Sequence, residues 1–384
     1  MDSLPEIGVV HWPVGTGDST TIAVSSDIVM QVDLHHMKKA DDDEEPAWQV
    51  IDELVGLLPQ VDGEPYLAVF ALTHADLDHC KGFADLLDQV NIGELWFTPR
   101  IFEDTKEELC EDAKAFQAEA KRRVKATIDA EGEPDSGDRV RIVGWADILK
   151  KGEFDGFPES KLSIPGNEVT DLDGEDCSST FTAFLHAPFK KDTEDGERND
   201  SSLAMQVTLT NGENCAKYML LGDLAYESLK RIFDETDDAA KVAWNVFLAP
   251  HHCSKKVMYT RNAETGVDEL QQDIMTLIEN AALTPAYVIS SSDPVPKKNS
   301  SGDNPPHAKA KNRYLDMNPT DFLCTMERPT AEAPEPIVLE VGPDGLSLED
   351  VEAEDVDEED LKAAIAKARG GSAPPTGQVG FGDS

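Results

Sequence analysis

The hydrophobic positions along the chain follow two patterns. Short runs rich in Val, Ile, Thr and aromatic residues, closed by Gly, Asp or Ser, predict strands. Between residues 7 and 33, GVVHW, STTIAV and DIVMQVD are such runs, separated by VGTGD and SSD turns. AWQVIDELVGLL at 47–58 spaces its apolar residues at helical intervals instead. YLAVFALT at 66–73 is almost continuously apolar, as a strand covered on both faces must be, and it stops at the polar cluster HADLDH. IGELWF at 92–97 predicts the next strand. Strands are expected again at SSTFTAFLH (178–186), SLAMQVTLT (202–210), KYMLLGD (217–223), NVFLAP (245–250) and AYVISSS (287–293), and near 321–326 and 336–341. Helices are expected at 224–234, 266–281 and 307–316. Residues 102–131 are charge-rich with helical spacing and predict a solvent-facing helix, and 132–176 reads as loop. The fold class expected is therefore α/β, with one domain over 1–345 that carries a helical and loop insertion at 101–176.

Beyond residue 346 the composition changes. The acidic run LEDVEAEDVDEEDLKAAIAKARGG leads into GGSAPPTGQVGFGDS, and the segment 346–384 is expected to be a disordered acidic tail. Its simple reading is a solvated tail; the sharper one is a docking segment for a protein partner. The chain of 384 residues has 34 Lys and Arg against 76 Asp and Glu, a net charge of −42. Such a surface repels nucleic acid at long range and argues against broad, sequence-independent DNA binding, while leaving room for a local basic channel. Apolar residues make up 40 %, enough for a core. No apolar run approaches the roughly 18–20 residues that span a bilayer, so no membrane association is expected. The N-terminus MDSLPEIGVVHW lacks the basic flank and apolar stretch of a signal peptide, so the expected location is cytoplasmic. None of the six cysteines forms a C-x-x-C pair, which points to reduced thiols and rules out a cysteine zinc finger.

The chemistry concentrates at strand ends. THADLDHCKG at 73–82 places His74, Asp76, Asp78 and His79 in a loop after a buried strand. Mixed imidazole and carboxylate ligands suit Zn²⁺ or Mn²⁺, and four ligands so close in sequence fit two adjacent ions better than one. LLGDL puts Asp223, a carboxylate able to bridge two metals, at a second strand end, and LAPHHCS puts His251 and His252 at a third. Adjacent histidines point in different directions, so one can bind metal while the other faces substrate. Ser254 and Lys255, directly after the pair, are candidate substrate-binding groups. His252 and His307 are candidates to protonate a leaving group or bind a developing oxyanion.

In these residues the sequence resembles the metallo-β-lactamase fold superfamily, and most of all its ComEC-type metallohydrolase branch. VGTGDS (14–19) matches that branch's V-G-x-G-D-S/A element, with Pro13 where the family has Asp. QVDL supplies the early strand-end Asp33, HADLDH matches H-x-D-x-D-H, and NDSS (199–202) matches N-x-x-S. APHHCS matches A-x-H-H-G-S with Cys253 in place of Gly, and NPPH (304–307) resembles N-x-x-x-H-P without its final Pro. The matches run in the family's order over roughly residues 9–325, outside the insertion and the tail. The resemblance implies an αββα four-layer sandwich with a dinuclear site at one edge. By position, His74 and Asp76 would hold one metal, with Asn199 a poor third ligand for which His186 is a candidate substitute. Asp78, His79 and one of His251 or His252 would hold the other, and Asp223 would bridge them. Asp33 and Asp18 would orient ligands. Two divalent ions, Zn or Mn, are the implied cofactors, and Asp78, His252 and His307 the implied catalytic groups.

A pair of such ions activates water for attack on a phosphorus or carbonyl centre. The oxygen-rich ligand set and the branch's association with DNA degradation favour a phosphodiesterase or nuclease. Its substrate would be a nucleotide or a nucleic-acid end. Two rival readings stand beside it: a lactone, ester or thioester hydrolase of the same fold, and a non-catalytic partner-binding module with a degenerate site.

Overall fold

The computed structural model describes residues 1–37, 48–102, 109–150, 152–191, 199–298 and 304–350. The described strands form two large sheets. The first has ten strands, one of which, Gln60–Val61, pairs with Glu64–Ala71 off the main order. Its antiparallel part runs Gly345–Leu348, Ile337–Gly342, Gly8–His11, Thr20–Ala23 and Val29–Val32. A parallel part continues through Glu64–Ala71, Asn91–Phe97, Arg139–Val143 and Leu162–Ser163. The second has seven. Glu168–Val169, Phe181–Ala187, Ala204–Asn211 and Asn214–Leu220 are antiparallel, and Trp244–Leu248, Ala282–Ser290 and Asp321–Cys324 extend the sheet in parallel.

Side chains alternate across each pleat, and the alternation builds four layers. Val9, Val69 and Trp96 of the first sheet meet Met205, Tyr218, Val246 and Ile289 of the second in a shared core. On the outer face of the first sheet, Val10, Phe70 and Leu95 pack under helices through Ile51, Leu54, Phe83 and Phe116. On the outer face of the second, Met219, Phe247 and Val288 pack under helices through Leu229, Ile232, Ile274 and Tyr314. The result is the αββα four-layer sandwich expected. Because the central strands of both sheets are parallel, each with a helix after it, their C-terminal ends open on one edge, the place where α/β sheets present ligand-binding loops.

The stretch 101–176 is built into the layers. Its helix, Glu111–Asp129, buries Phe116, Ala120 and Val124 rather than facing solvent all round. Arg123, only 2 % exposed, lies on the buried face and donates to the carbonyls of Ile92 and Gly93 at 3.0 Å each. Its strands extend both sheets. The expected helix at 266–281 is shorter, Gln272–Ala281, and follows a hairpin of Tyr259–Arg261 with Asp268–Leu270. The chain divides into Met1–Glu349 and Asp350–Ser384. Strand Gly345–Leu348 carries the first sheet past the expected boundary at 345. Residues 351–384 of the expected tail, with its docking reading, lie outside the described residues. Among the described residues no helix is long and apolar enough to cross a membrane.

Candidate metal centre

Five strand ends converge on Asp223. The first sheet contributes Asp33, after Val29–Val32, and the turn Thr73–His79, after Glu64–Ala71. The second contributes Asp223, His251 with His252, and Ser291, after Asn214–Leu220, Trp244–Leu248 and Ala282–Ser290. A backbone bond from Leu203 to the Thr73 carbonyl, 2.9 Å, ties the sheets at this edge.

The two oxygens of Asp223 face two different sets of rings. Oδ1 is 3.1 Å from His79 Nε2 and 3.5 Å from His252 Nε2, and Asp78 Oδ2 is 3.3 Å from the same His252 nitrogen. Oδ2 is 3.8 Å from His74 Nε2 and 3.6 Å from His251 Nε2, with Asp76 Oδ2 3.6 Å from His74 Nε2. Adjacent histidines therefore serve opposite sides, their rings 88° apart. His251, His252 and Cys253 all have positive φ (51°, 52° and 63°), a left-handed run that costs each residue about 1–2 kcal/mol. It turns the two rings onto one carboxylate.

Hydrogen bonds on the far sides of the rings set the protons. Asp33 takes the Thr73 N–H at 2.7 Å, the Thr73 hydroxyl at 2.6 Å and His79 Nδ1–H at 2.8 Å. With its proton given to Asp33, Thr73 Oγ1 is left to accept His74 Nδ1–H at 3.1 Å. The Ser291 carbonyl, which can only accept, takes His252 Nδ1–H at 3.1 Å. In the neutral rings, Nε2 then carries the lone pair. Those of His79 and His252 lie 3.2 Å apart. That of His74 is buried without a hydrogen-bond partner, facing two carboxylates. Lone pairs aimed at one another and at carboxylates repel unless a positive charge lies between them.

In the metal-free chain protons supply part of that charge. Burial opposes charge on His79 and His252, but Asp223 with Asp33 raises the first well above its ordinary value. Asp223 with Asp18 brings the second up to about 10. Asp223 is held well below the ordinary carboxylate range: burial raises it, but His252 and His79 outweigh burial. His74 goes the other way, down to about 3, by burial and then by the charge of His79. His251 is lowered by burial. Asp18, His79, Asp223 and His252 each offer a ligand atom within 4.8 Å of one another, so the centre is able to hold a divalent cation. Within that group Asp18 lies on the Nδ1 side of the rings, 3.9 Å from His79 Nδ1 and 3.5 Å from His252 Nδ1. The nitrogen and carboxylate donors suit a divalent metal ion.

Several expected site residues have local partners of their own. Ser254 is buried and its Oγ accepts the Lys256 N–H at 3.3 Å. Lys255 pairs with Asp268 at 3.0 Å, and its N–H donates to His307 Nδ1 at 3.2 Å. The His307 N–H in turn donates to the Cys253 carbonyl at 3.1 Å. These contacts tie Lys255 and His307 to the strained histidine loop at Cys253. Asn199 lies in the turn Asn199–Ser201, its carbonyl accepting the Ser202 N–H and hydroxyl at 3.1 and 2.7 Å. His186 bonds the Lys241 carbonyl at 3.0 Å. Thr73 and Ser291 were not singled out by sequence. Thr73 carries one signal, its place directly before His74; Ser291 holds His252 through its backbone carbonyl, which carries none.

The sequence matches no family model and no curated protein. Among solved structures, the chain is similar to the Rm3 metallo-beta-lactamase, at 12 % identity over 72 % of this chain and 90 % of that one, with a TM-score of 0.36. It is also similar to BJP-1, a subclass B3 metallo-beta-lactamase of Bradyrhizobium japonicum, at 15 % identity over 72 % and 88 %, with a TM-score of 0.31.

Proposed function

We propose that this chain is a metal-dependent hydrolase of phosphodiesters, with two divalent ions, Zn or Mn, sharing Asp223. The observation that carries the reading is the two-sided use of that carboxylate. Asp78, His79 and His252 gather at Oδ1, and His74, Asp76 and His251 stand on the side of Oδ2. Bound there, such ions supply an activated water and positive charge for the developing oxyanion. The chain's own part is positioning. Asp33 and the Ser291 carbonyl hold His79 and His252 by Nδ1, so both rings present Nε2 inward. His74, His79, His252 and Asp223 form a dry wall. The side chains of Asp76, Asp78 and His251, 27 %, 37 % and 16 % exposed, leave the opposite side open to a substrate.

The choice of phosphodiesters over lactones or thioesters rests on the oxygen-rich donor set, in which Asp76, Asp78 and Asp223 stand beside the histidines. The test uses chelator-treated protein, with and without added Mn²⁺, on bis-p-nitrophenyl phosphate, a lactone and a thioester. The expected result is Mn²⁺-dependent hydrolysis of the phosphodiester, reduced at least ~100-fold by Asp78→Asn. Turnover of the lactone or thioester alone contradicts the proposal.

A further inference from the structure

Cys80 closes the short helix Leu77–Cys80, directly after His79, and Cys110 is the N-cap of the 19-residue helix Glu111–Asp129. Thirty positions apart in sequence, their sulfurs lie 3.6 Å from each other. Cys80 is buried and Cys110 half-buried, so a reagent from solvent meets Cys110 first. Cys110 Sγ accepts the Ala113 N–H at 3.3 Å, at the positive end of the helix. The helix N-terminus and this N–H favour a thiolate at Cys110, the more exposed of the two sulfurs. Cys80 also donates to the Asp76 carbonyl at 3.2 Å, inside the ligand turn.

We propose that Cys80 and Cys110 form a reversible dithiol–disulfide pair toward low-molecular-weight disulfides, with Cys110 the attacking sulfur and Cys80 the resolving one. The Cys110 thiolate attacks one sulfur of RSSR, forms a mixed disulfide and expels RS⁻. Cys80 then loses its proton and attacks the Cys110 sulfur, expelling the second RS⁻. Two protein thiols are oxidised to one disulfide, and RSSR is reduced to two RSH, which take up the protons of the two protein thiols. Bond formation takes the sulfurs from 3.6 Å to roughly 2.05 Å. Closure takes the Cys80 S–H from the Asp76 carbonyl and ties the ligand turn to the long helix. The pair stands independently of the reaction proposed above.

The test treats the full chain with glutathione disulfide, alkylates the remaining thiols and reads intact mass and peptide maps. Wild type is expected to lose Cys80 and Cys110 from the alkylatable thiols, retain no glutathione on either and yield a Cys80–Cys110 cross-linked peptide. Cys80→Ser should hold one glutathione on Cys110, and Cys110→Ser should leave Cys80 reduced. Cys110 should react at least ~10-fold faster than the exposed Cys215. Reaction confined to Cys215, or a lasting glutathione adduct on Cys110 of wild type, overturns the proposal.

Discussion

Thr73 has one hydroxyl and three duties near it. It donates to Asp33, accepts from His74 and lies 3.3 Å from His79 Nδ1. Thr73→Val keeps the shape and deletes the hydroxyl, leaving a buried N–H and a carboxylate oxygen short of partners. The expected cost is about 1–3 kcal/mol of stability in urea unfolding, with metal affinity about 10–100-fold weaker by calorimetry; unchanged affinity contradicts the positioning role. The same rings make the site pH-dependent. In the metal-free chain His252 is raised to about 10, so its ion pairs stabilise fully below about 6.5 and are lost as pH climbs through about 10. Asp223 is depressed, so its contribution is present above the ordinary carboxylate range and is lost as pH falls toward its lowered value. A cation must displace the ring protons, so metal affinity should rise from pH 6 to 9 with release of roughly one to two protons. Calorimetry in buffers of different protonation heat measures that number, and a value of zero contradicts the assignment. At this scale HADLDH, Asp223 and the histidine pair were legible because their side chains are ligand types. Which histidine serves which oxygen was not, because it depends on three left-handed backbone angles.

Elements position these residues by docking loop against loop. The VGTGDS turn lies on the ligand turn: the Asp18 N–H donates to the Asp78 carbonyl at 3.0 Å, and the Ser291 hydroxyl donates to the Gly17 carbonyl at 2.5 Å. A Cβ on Gly17 would stand 2.3 Å from His35 Nδ1 and 2.8 Å from the Asp78 carbonyl. Gly17→Ala should therefore push the two turns apart, costing about 1–3 kcal/mol in urea unfolding and weakening metal binding; wild-type stability and affinity together contradict this docking. Strands were the most legible elements, because runs such as YLAVFALT are apolar on both faces. The helix Glu111–Asp129 was misread as solvent-facing because its buried stripe includes Arg123, whose charge is satisfied by Glu119 at 2.7 Å and two backbone carbonyls. The hairpin before Gln272 escaped notice because Tyr259–Arg261 and Asp268–Leu270 are largely polar and only part-buried.

Over the whole molecule, two sheets share one core and one edge, and that edge gathers acidic groups within a chain of net charge −42. The repeated alternation of apolar strands and helices made the α/β class readable. The convergence of both sheets was not readable from spacing, since it depends on parallel strand order and on contacts such as Leu203 with Thr73. The burial of Asp33, His74, His79 and Asp223 at this edge is costly in isolation, and under the proposed function cations at Asp223 would offset that cost. Elemental analysis of the full chain purified without chelator tests this most directly. The account predicts about two divalent transition-metal ions per chain, falling below about one in Asp223→Ala; fewer than about one ion per chain in the wild type contradicts it.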